Sequence, residues 1–214
     1  CFDSGGLDIK PSNGMRLMKK DMGGAAHARA LSRWILESEL PYQVRLLLPI
    51  VENSISAHSM RPGDIVKARN GLNVEIDNTD AEGRLILADA LAYAGEEPYD
   101  LLINFATLTG AARVALGPEL PALFSNSDPL AQQCIKSGES VDDLLWQLPL
   151  HKGYQSWIEP MHADLLNASK FPFGGAITAA LFLERFINPH APFFHIDVMA
   201  WNIRNRPGRP EGGE

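Results

Sequence analysis

Three features of the sequence predict the α/β class, with a mixed, largely parallel β-sheet sandwiched between α-helices. Short apolar runs of strand character alternate with longer helical patterns, 18 glycines and 15 prolines punctuate the junctions, and no repeat, low-complexity segment or Gly/Ser linker breaks the alternation over residues 1–214. The chain therefore reads as one domain. In order, Gly23 to Ser38 opens with small residues and continues with Leu31, Trp34 and Ile35 at helical spacing before Pro41, which predicts a helix. Val44 to Val51 is a compact apolar run suited to a buried strand, and Val74 and Ile76 alternate with polar neighbours as a short strand does. Ala81 to Tyr93 reads as a helix ended by Gly95, and Asp100 to Thr107 (DLLINFAT) as a second buried strand. Further on, Ala122 to Phe124 reads as a strand, Pro129 to Ser137 and Val141 to Trp146 as helical turns, Gly175 to Phe186 as a helix and Pro192 to Val198 (PFFHIDV) as a strand. Sheets of this class gather ligands at the carboxyl ends of their strands, so the residues just after each strand are the ones to inspect.

Composition removes several function classes. Apolar residues make up 45% and charged residues 21%, an ordinary globular balance that excludes a disordered acidic tail and a coiled coil. With 19 Lys and Arg against 26 Asp and Glu, the net charge is -7 and the pI about 5.4, which offers no electrostatic footprint for a phosphate backbone; nucleic acid is not expected as a partner. No run of about 18 apolar residues and no basic start followed by an apolar stretch occurs, so no membrane association is expected and the location expected is cytoplasmic. Cys1 and Cys134 are too few for a disulfide framework and read as free thiols. Because the first residue is Cys and leads straight into Phe2-Asp3-Ser4-Gly5-Gly6, the chain reads as part of something longer.

Two stretches are dense in acids and glycines: Asp3 to Lys10, continued by Asp21-Met22-Gly23-Gly24, and Asn78-Thr79-Asp80-Ala81-Glu82-Gly83-Arg84-Leu85. Each falls at a junction between elements. Asp3, Asp21, Asp80 and Glu82 together carry four negative charges, which two divalent cations neutralise. That arithmetic fits a two-metal site, with ions about 3.5 to 4 Å apart that lower the pKa of a shared water and polarise a carbonyl. Oxygen-rich ligation accepts Zn, Mn, Mg or Co. Lys10 and Arg84 are then the candidates for stabilising a developing oxyanion and for anchoring a proton-moving anion. The same residues have ordinary readings: Thr79 to Glu82 matches a capping box, Asp3 and Asp21 suit turns or helix starts, and single basic side chains are usually solvated. From spacing alone both readings stand.

Taken together, NTDAEGRL (Asn78 to Leu85) with FDSGG, KP, LMKKDMGGAA, TLTGA, FGGAITAALFL and HIDVMAW in that order resembles the leucine aminopeptidase family, the cytosol aminopeptidases. The resemblance covers essentially the whole chain as that family's C-terminal catalytic domain, and an eight-residue signature flanked by ordered motifs is specific. It implies that Asp3, Asp21, Asp80 and Glu82 ligate two divalent ions, with Asp3 and Glu82 shared, and that Asp21 also faces the substrate's amine. It gives Lys10 the task of polarising the scissile carbonyl, and Arg84 that of holding a bicarbonate ion as general base. Met18, Asn78, Thr107, Leu108 and Gly110 match substrate-contacting positions, with Met199 at the pocket floor. The implied reaction is metal-dependent hydrolysis of the N-terminal peptide bond of peptides, with leucine-like first residues preferred by an apolar pocket of modest discrimination. A homo-hexamer is implied as well.

There is one departure. The family's second metal-binding lysine, in a Gly-Lys-Gly stretch before FDSGG, falls ahead of Cys1, as do the N-terminal domain and the first elements of the catalytic domain, so the weaker metal position is expected to lose a ligand. The competing reading is a catalytically impaired fragment that keeps an assembly or binding role. His27, His58, His162 and His195 match no metal spacing such as HExxH, and His195, within an apolar strand, is expected to be a hydrogen-bonded core residue. Ser4 lacks a GxSxG context, and no phosphate-binding glycine motif occurs.

Overall fold

The computed structural model describes residues 1–4, 10 and 12–213; Gly5 and Gly6 of the first acidic stretch lie outside them. In chain order come strand β1 (Phe2–Asp3), helix α1 (Ser12–Met15), a 3-10 segment (Met18–Met22) and helix α2 (Gly23–Glu37). Strands β2 (Ile50–Val51), β3 (Ile65–Lys67) and β4 (Asn73–Glu75) precede helix α3 (Glu82–Ala94), strand β5 (Leu102–Ala106) and helix α4 (Gly110–Leu116). The second half holds β6 (Ala122–Ser125), α5 (Asp128–Ser140), β7 (Trp146–Gln147), a 3-10 segment (Lys152–Ile158) and β8 (Leu165–Leu166). Helix α6 (Gly175–Glu184), β9 (Phe193–Asp197), β10 (Trp201–Asn202) and β11 (Gly212–Gly213) complete it.

The α/β expectation is met. The largest sheet has the order β5-β9-β6-β7, with β5 and β9 parallel, β6 and β7 parallel, and β9 and β6 antiparallel. Beside it stand a three-stranded sheet, β3-β4-β8, and the parallel pair β1-β2. Strand β9 (FFHID) is buried at every position, because it is flanked by β5 and β6 and covered on both faces, the situation that produces continuous apolar runs. Helix α6 is likewise buried over most of its length, from Ala176 through Leu183. It packs against α3, α4 and the second 3-10 segment, and Phe182, Leu181 and Leu183 join Leu87, Leu91, Ile158 and Phe193 in the main core.

Several elements depart from the sequence expectation. Among the described residues, Ile50–Val51 of the apolar run from Val44 becomes strand, pairing in parallel with Phe2–Asp3 of β1. Val141 to Trp146 forms a turn leading into β7 rather than a helical turn, because α5 extends to Ser140 and Trp146 then pairs with Ala122. The capping box is not formed: Ala81 is the N-cap of α3 and no side chain caps it. Glu82 is instead drawn to Asp3.

His195 is a core residue, as expected. It is fully buried, its Nδ1 lies 2.7 Å from Asn104 Oδ1, and its ring stacks on Phe124. Burial, helped by the positive charge of Arg84, lowers its pKa to about 3. A histidine depressed in the folded state contributes stability that is present above its unfolded pKa, about 6.5, and is lost as pH falls toward the folded value. We therefore expect the free energy by which the parent exceeds a His195→Gln variant, measured by denaturant unfolding, to shrink by about 1.4 kcal/mol per pH unit below pH ~6.5. Comparison with the variant cancels the opposing contribution of Asp197, whose pKa burial raises to about 6.

Candidate functional site

Asp3 ends β1, and the 3-10 segment carrying Met18, Lys20 and Asp21 runs directly into α2. Two glycines set that junction. A Cβ on Gly24 would lie 2.4 Å from the Phe105 carbonyl oxygen and 2.7 Å from Ala106 Cα, and one on Gly23 would lie 2.1 Å from the Ala200 side chain. Only bare backbone lets the start of α2 press on the end of β5. The Ala25 amide also donates to the Cys1 carbonyl at 3.1 Å, which ties α2 to β1. Gly24→Ala is accordingly expected to destabilise the fold by about 1–3 kcal/mol, the usual cost of overpacking, as a lower denaturant midpoint at unchanged slope.

The loop between β4 and α3 supplies Asn78, Asp80 and, as the first helical residue, Glu82. It is held by Asn167, fully buried just after β8. The amides of Asp77 and Asn78 donate to Asn167 Oδ1 at 2.8 and 3.1 Å, and Asn167 Nδ2 donates to the Asn78 carbonyl at 2.6 Å. Asn78 Oδ1 in turn accepts from the Asp80 amide at 2.9 Å. The third loop follows β5. Thr109 caps α4, its Oγ1 accepting from the Ala112 amide at 3.0 Å.

These loops converge. Asp3, Lys10, Met18, Asp21, Asn78, Asp80, Glu82, Arg84, Thr107, Leu108, Gly110 and Met199, every site residue read from the sequence, line one cleft of about 640 Å³. Within it the carboxylates are distributed unevenly. Glu82 is hydrogen-bonded to Asp3, and its Oε2 is buried with no hydrogen-bond partner. Burial first, and then the Asp3 bond and charge, push its pKa up to about 8, against the pull of Lys10. Asp21 is held by Lys20 at 2.6 Å, with both side chains largely buried, and Asp80 is paired with Lys10. Among the described residues no three His, Cys, Asp or Glu side chains gather as a metal-holding cluster; lysine ammonium groups hold two of the expected ligands.

Arg84 presents a guanidinium with Nε buried and unpartnered. Burial lowers its pKa to about 10, while Asp197 and Glu82 oppose the shift, so it stays charged at neutral pH. Lys20 and Thr109, which line the cleft, and Asn167 and Asp197, which hold its loops, are the residues that sequence reasoning missed. Lys20, Thr109 and Asp197 stand inside the quoted LMKKDMGGAA, TLTGA and HIDVMAW, which mark the stretches and not the task of each residue, whereas Asn167 falls in no quoted motif and acts on a loop nearly ninety residues away.

Comparison with known proteins follows the same lines. A family model described as "Cytosol aminopeptidase family, catalytic domain" matches residues 1–213. A crystal structure of cytosol aminopeptidase from Coxiella burnetii superposes with a TM-score of 0.94 at 57% identity, covering 100% of this chain and 47% of that one. The bottromycin maturation enzyme BotP in complex with Mn gives a TM-score of 0.91 at 39% identity, over 99% of this chain and 48% of its own. A probable cytosol aminopeptidase of Syntrophotalea carbinolica is 46% identical over 214 residues, 99% of this chain and 43% of the relative. The chain thus spans less than half the length of these relatives.

Proposed function

The chain belongs to the cytosol aminopeptidase family, and on that premise we propose that it carries the catalytic site of a two-metal aminopeptidase that hydrolyses the N-terminal bond of peptides, with leucine-like first residues preferred. The single observation that carries this reading is the convergence of Asp3, Asp21, Asp80, Glu82, Lys10 and Arg84 on one cleft. The donor set fits divalent cations. Glu82 Oε2 is buried and unpartnered beside Asp3, and Asp21 and Asp80 are each already engaged with a positive group. Zn or Mn is the expected pair, with Mg or Co acceptable to the same oxygens. Bound there, such ions supply a water of lowered pKa and a polarised scissile carbonyl.

The rest is done by side chains and backbone of this chain. Asp21 offers its carboxylate to the free amine that defines an N-terminus. Asp80 would be one of the residues that hold a cation, and Lys10, its ion-pair partner in the same cleft, is the ammonium donor for the charge that develops on the carbonyl oxygen. Arg84, charged and without a hydrogen bond at Nε, is the seat for bicarbonate. Met18 and Met199 border the cleft with flexible apolar side chains that accept branched aliphatic groups and discriminate among them by only about 1–3 kcal/mol. The segment from Thr107 to Gly110 lies alongside to align the peptide backbone. A cytoplasmic homo-hexamer is the assembly we infer from the resemblance.

The test is release of ammonia from an N-terminal leucine amide by the full-length protein, with Mn or Zn added and then removed by chelator. Metal-dependent release is expected. Absence of release from a folded, metal-loaded protein sinks the reading.

A further inference from the structure

Asp197 is a buried carboxylate that the reaction outlined above does not use. It ends β9, opposite Ala106 of β5 on one side and Ala122 of β6 on the other, and is 3% exposed. Its Oδ1 accepts from the amides of Leu108 at 3.1 Å and Thr109 at 3.2 Å, and its Oδ2 accepts from the Thr109 hydroxyl at 2.6 Å. The same hydroxyl oxygen accepts from the Ala112 amide, so one carboxylate fixes the loop after β5 and, through Thr109, the start of α4. Burying a carboxylate costs several kcal/mol unless its lone pairs are satisfied, and here the donors come from the segment that lines the cleft. The Val198 amide, next in the chain, donates to the Ala106 carbonyl at 2.9 Å and locks the position from which Asp197 reaches. Arg84 and Arg113, both in the cleft wall, lie within its electrostatic reach.

We propose that Asp197 is the positioning residue of the substrate-binding loop: it holds Leu108 and Gly110 in the register that receives the peptide backbone. The inference rests on the aminopeptidase reading for the identity of the substrate, and on the hydrogen bonds alone for the anchoring. Contacts of this kind are made to bound substrate before and during the reaction, so their loss weakens binding more than turnover. A ligand of the reactive ions behaves in the opposite way.

The experiment uses the full-length, metal-loaded protein with Asp197→Ala and Asp197→Asn, and Thr109→Val with its conservative counterpart Thr109→Ser in case the first two fold poorly. Hydrogen exchange at the Leu108 and Thr109 amides and steady-state kinetics on a leucine amide are both read. Loss of a charged hydrogen-bond acceptor corresponds to about tenfold or more. Asp197→Ala is expected to raise exchange at both amides and KM by that factor, with kcat within about threefold and metal content unchanged. Thr109→Val is expected to raise KM in the same direction, and Thr109→Ser to restore it toward the parent. Unaltered exchange in Asp197→Ala overturns the anchoring, and altered exchange with unchanged KM, or a fall in kcat alone, overturns the positioning role. If the parent hydrolyses nothing, the aminopeptidase reading fails by itself, and the exchange measurement still decides whether Asp197 anchors the loop.

Discussion

Replacing Asp80 and Glu82 together by alanine is expected to abolish the calorimetric signal of Mn or Zn binding and to reduce leucine amide hydrolysis by more than about a thousandfold, the scale on which loss of an ion that activates water is felt. The reason lies in how the cleft is charged. Burial, and after it the hydrogen bond and charge of Asp3, lift the Glu82 pKa to about 8, and a cation at these oxygens offsets the cost of ionising a carboxyl there. Removing half of the carboxylate set leaves Asp21, which Lys20 occupies at 2.6 Å, and Asp3 without its neighbour. The same substitution serves as its own folding control. Since it removes a buried carboxyl whose Oε2 has no hydrogen-bond partner together with the Lys10–Asp80 ion pair, opposing contributions, the thermal midpoint of the metal-free variant is expected to stay close to that of the parent. Metal binding that survives both substitutions would place the ions elsewhere.

The second large effect belongs to Lys10. Exchange of Lys10 for Met is expected to lower kcat by about a hundred- to a thousandfold, as deletion of an oxyanion donor does, with KM little changed. It is also expected to leave metal affinity intact or slightly higher. Lys10 is paired with Asp80, so the ammonium competes with an incoming cation for the same carboxylate, and its removal frees that ligand. The two variants separate the roles: one loses ions and activity, the other activity alone. A Lys10→Met variant that lost metal in parallel with rate would make the lysine part of the ion-holding set and not a group that acts on the substrate.

Much of this was legible because it is local. The helix from Gly23 ends at Glu37, next to the predicted boundary, and the one closed by Gly95 begins at Glu82; spacing of apolar residues and a terminal glycine suffice for both. The character of His195 follows from its place in an apolar strand. The cleft residues were legible through ordered motifs, not through periodicity. What escaped was decided by distant partners. The run from Val44 looks like a full strand, yet among the described residues the strand is Ile50–Val51, set by a partner nearly fifty residues earlier in the chain. Thr79-Asp80-Ala81-Glu82 looks like a capping box until Asp3, nearly eighty residues earlier, takes up the Glu82 side chain. Asn167 and Asp197 sit in stretches with no motif for holding loops, and each reaches the backbone of a segment that follows another strand.

The order β5-β9-β6-β7 also has a temporal meaning. Strand β9 is synthesised after all three of its sheet companions and must enter between β5 and β6, so the sheet cannot close while the ribosome has yet to deliver residues 193 to 197. Until then β5 and β6 each hold an unsatisfied edge flanked by apolar side chains, the condition under which nascent chains pair wrongly. Insertion of a late strand is a long-range, slow closure. Because the same strand carries Asp197 to the loop after β5, the loop that borders the cleft takes its working shape only once that late strand is in place.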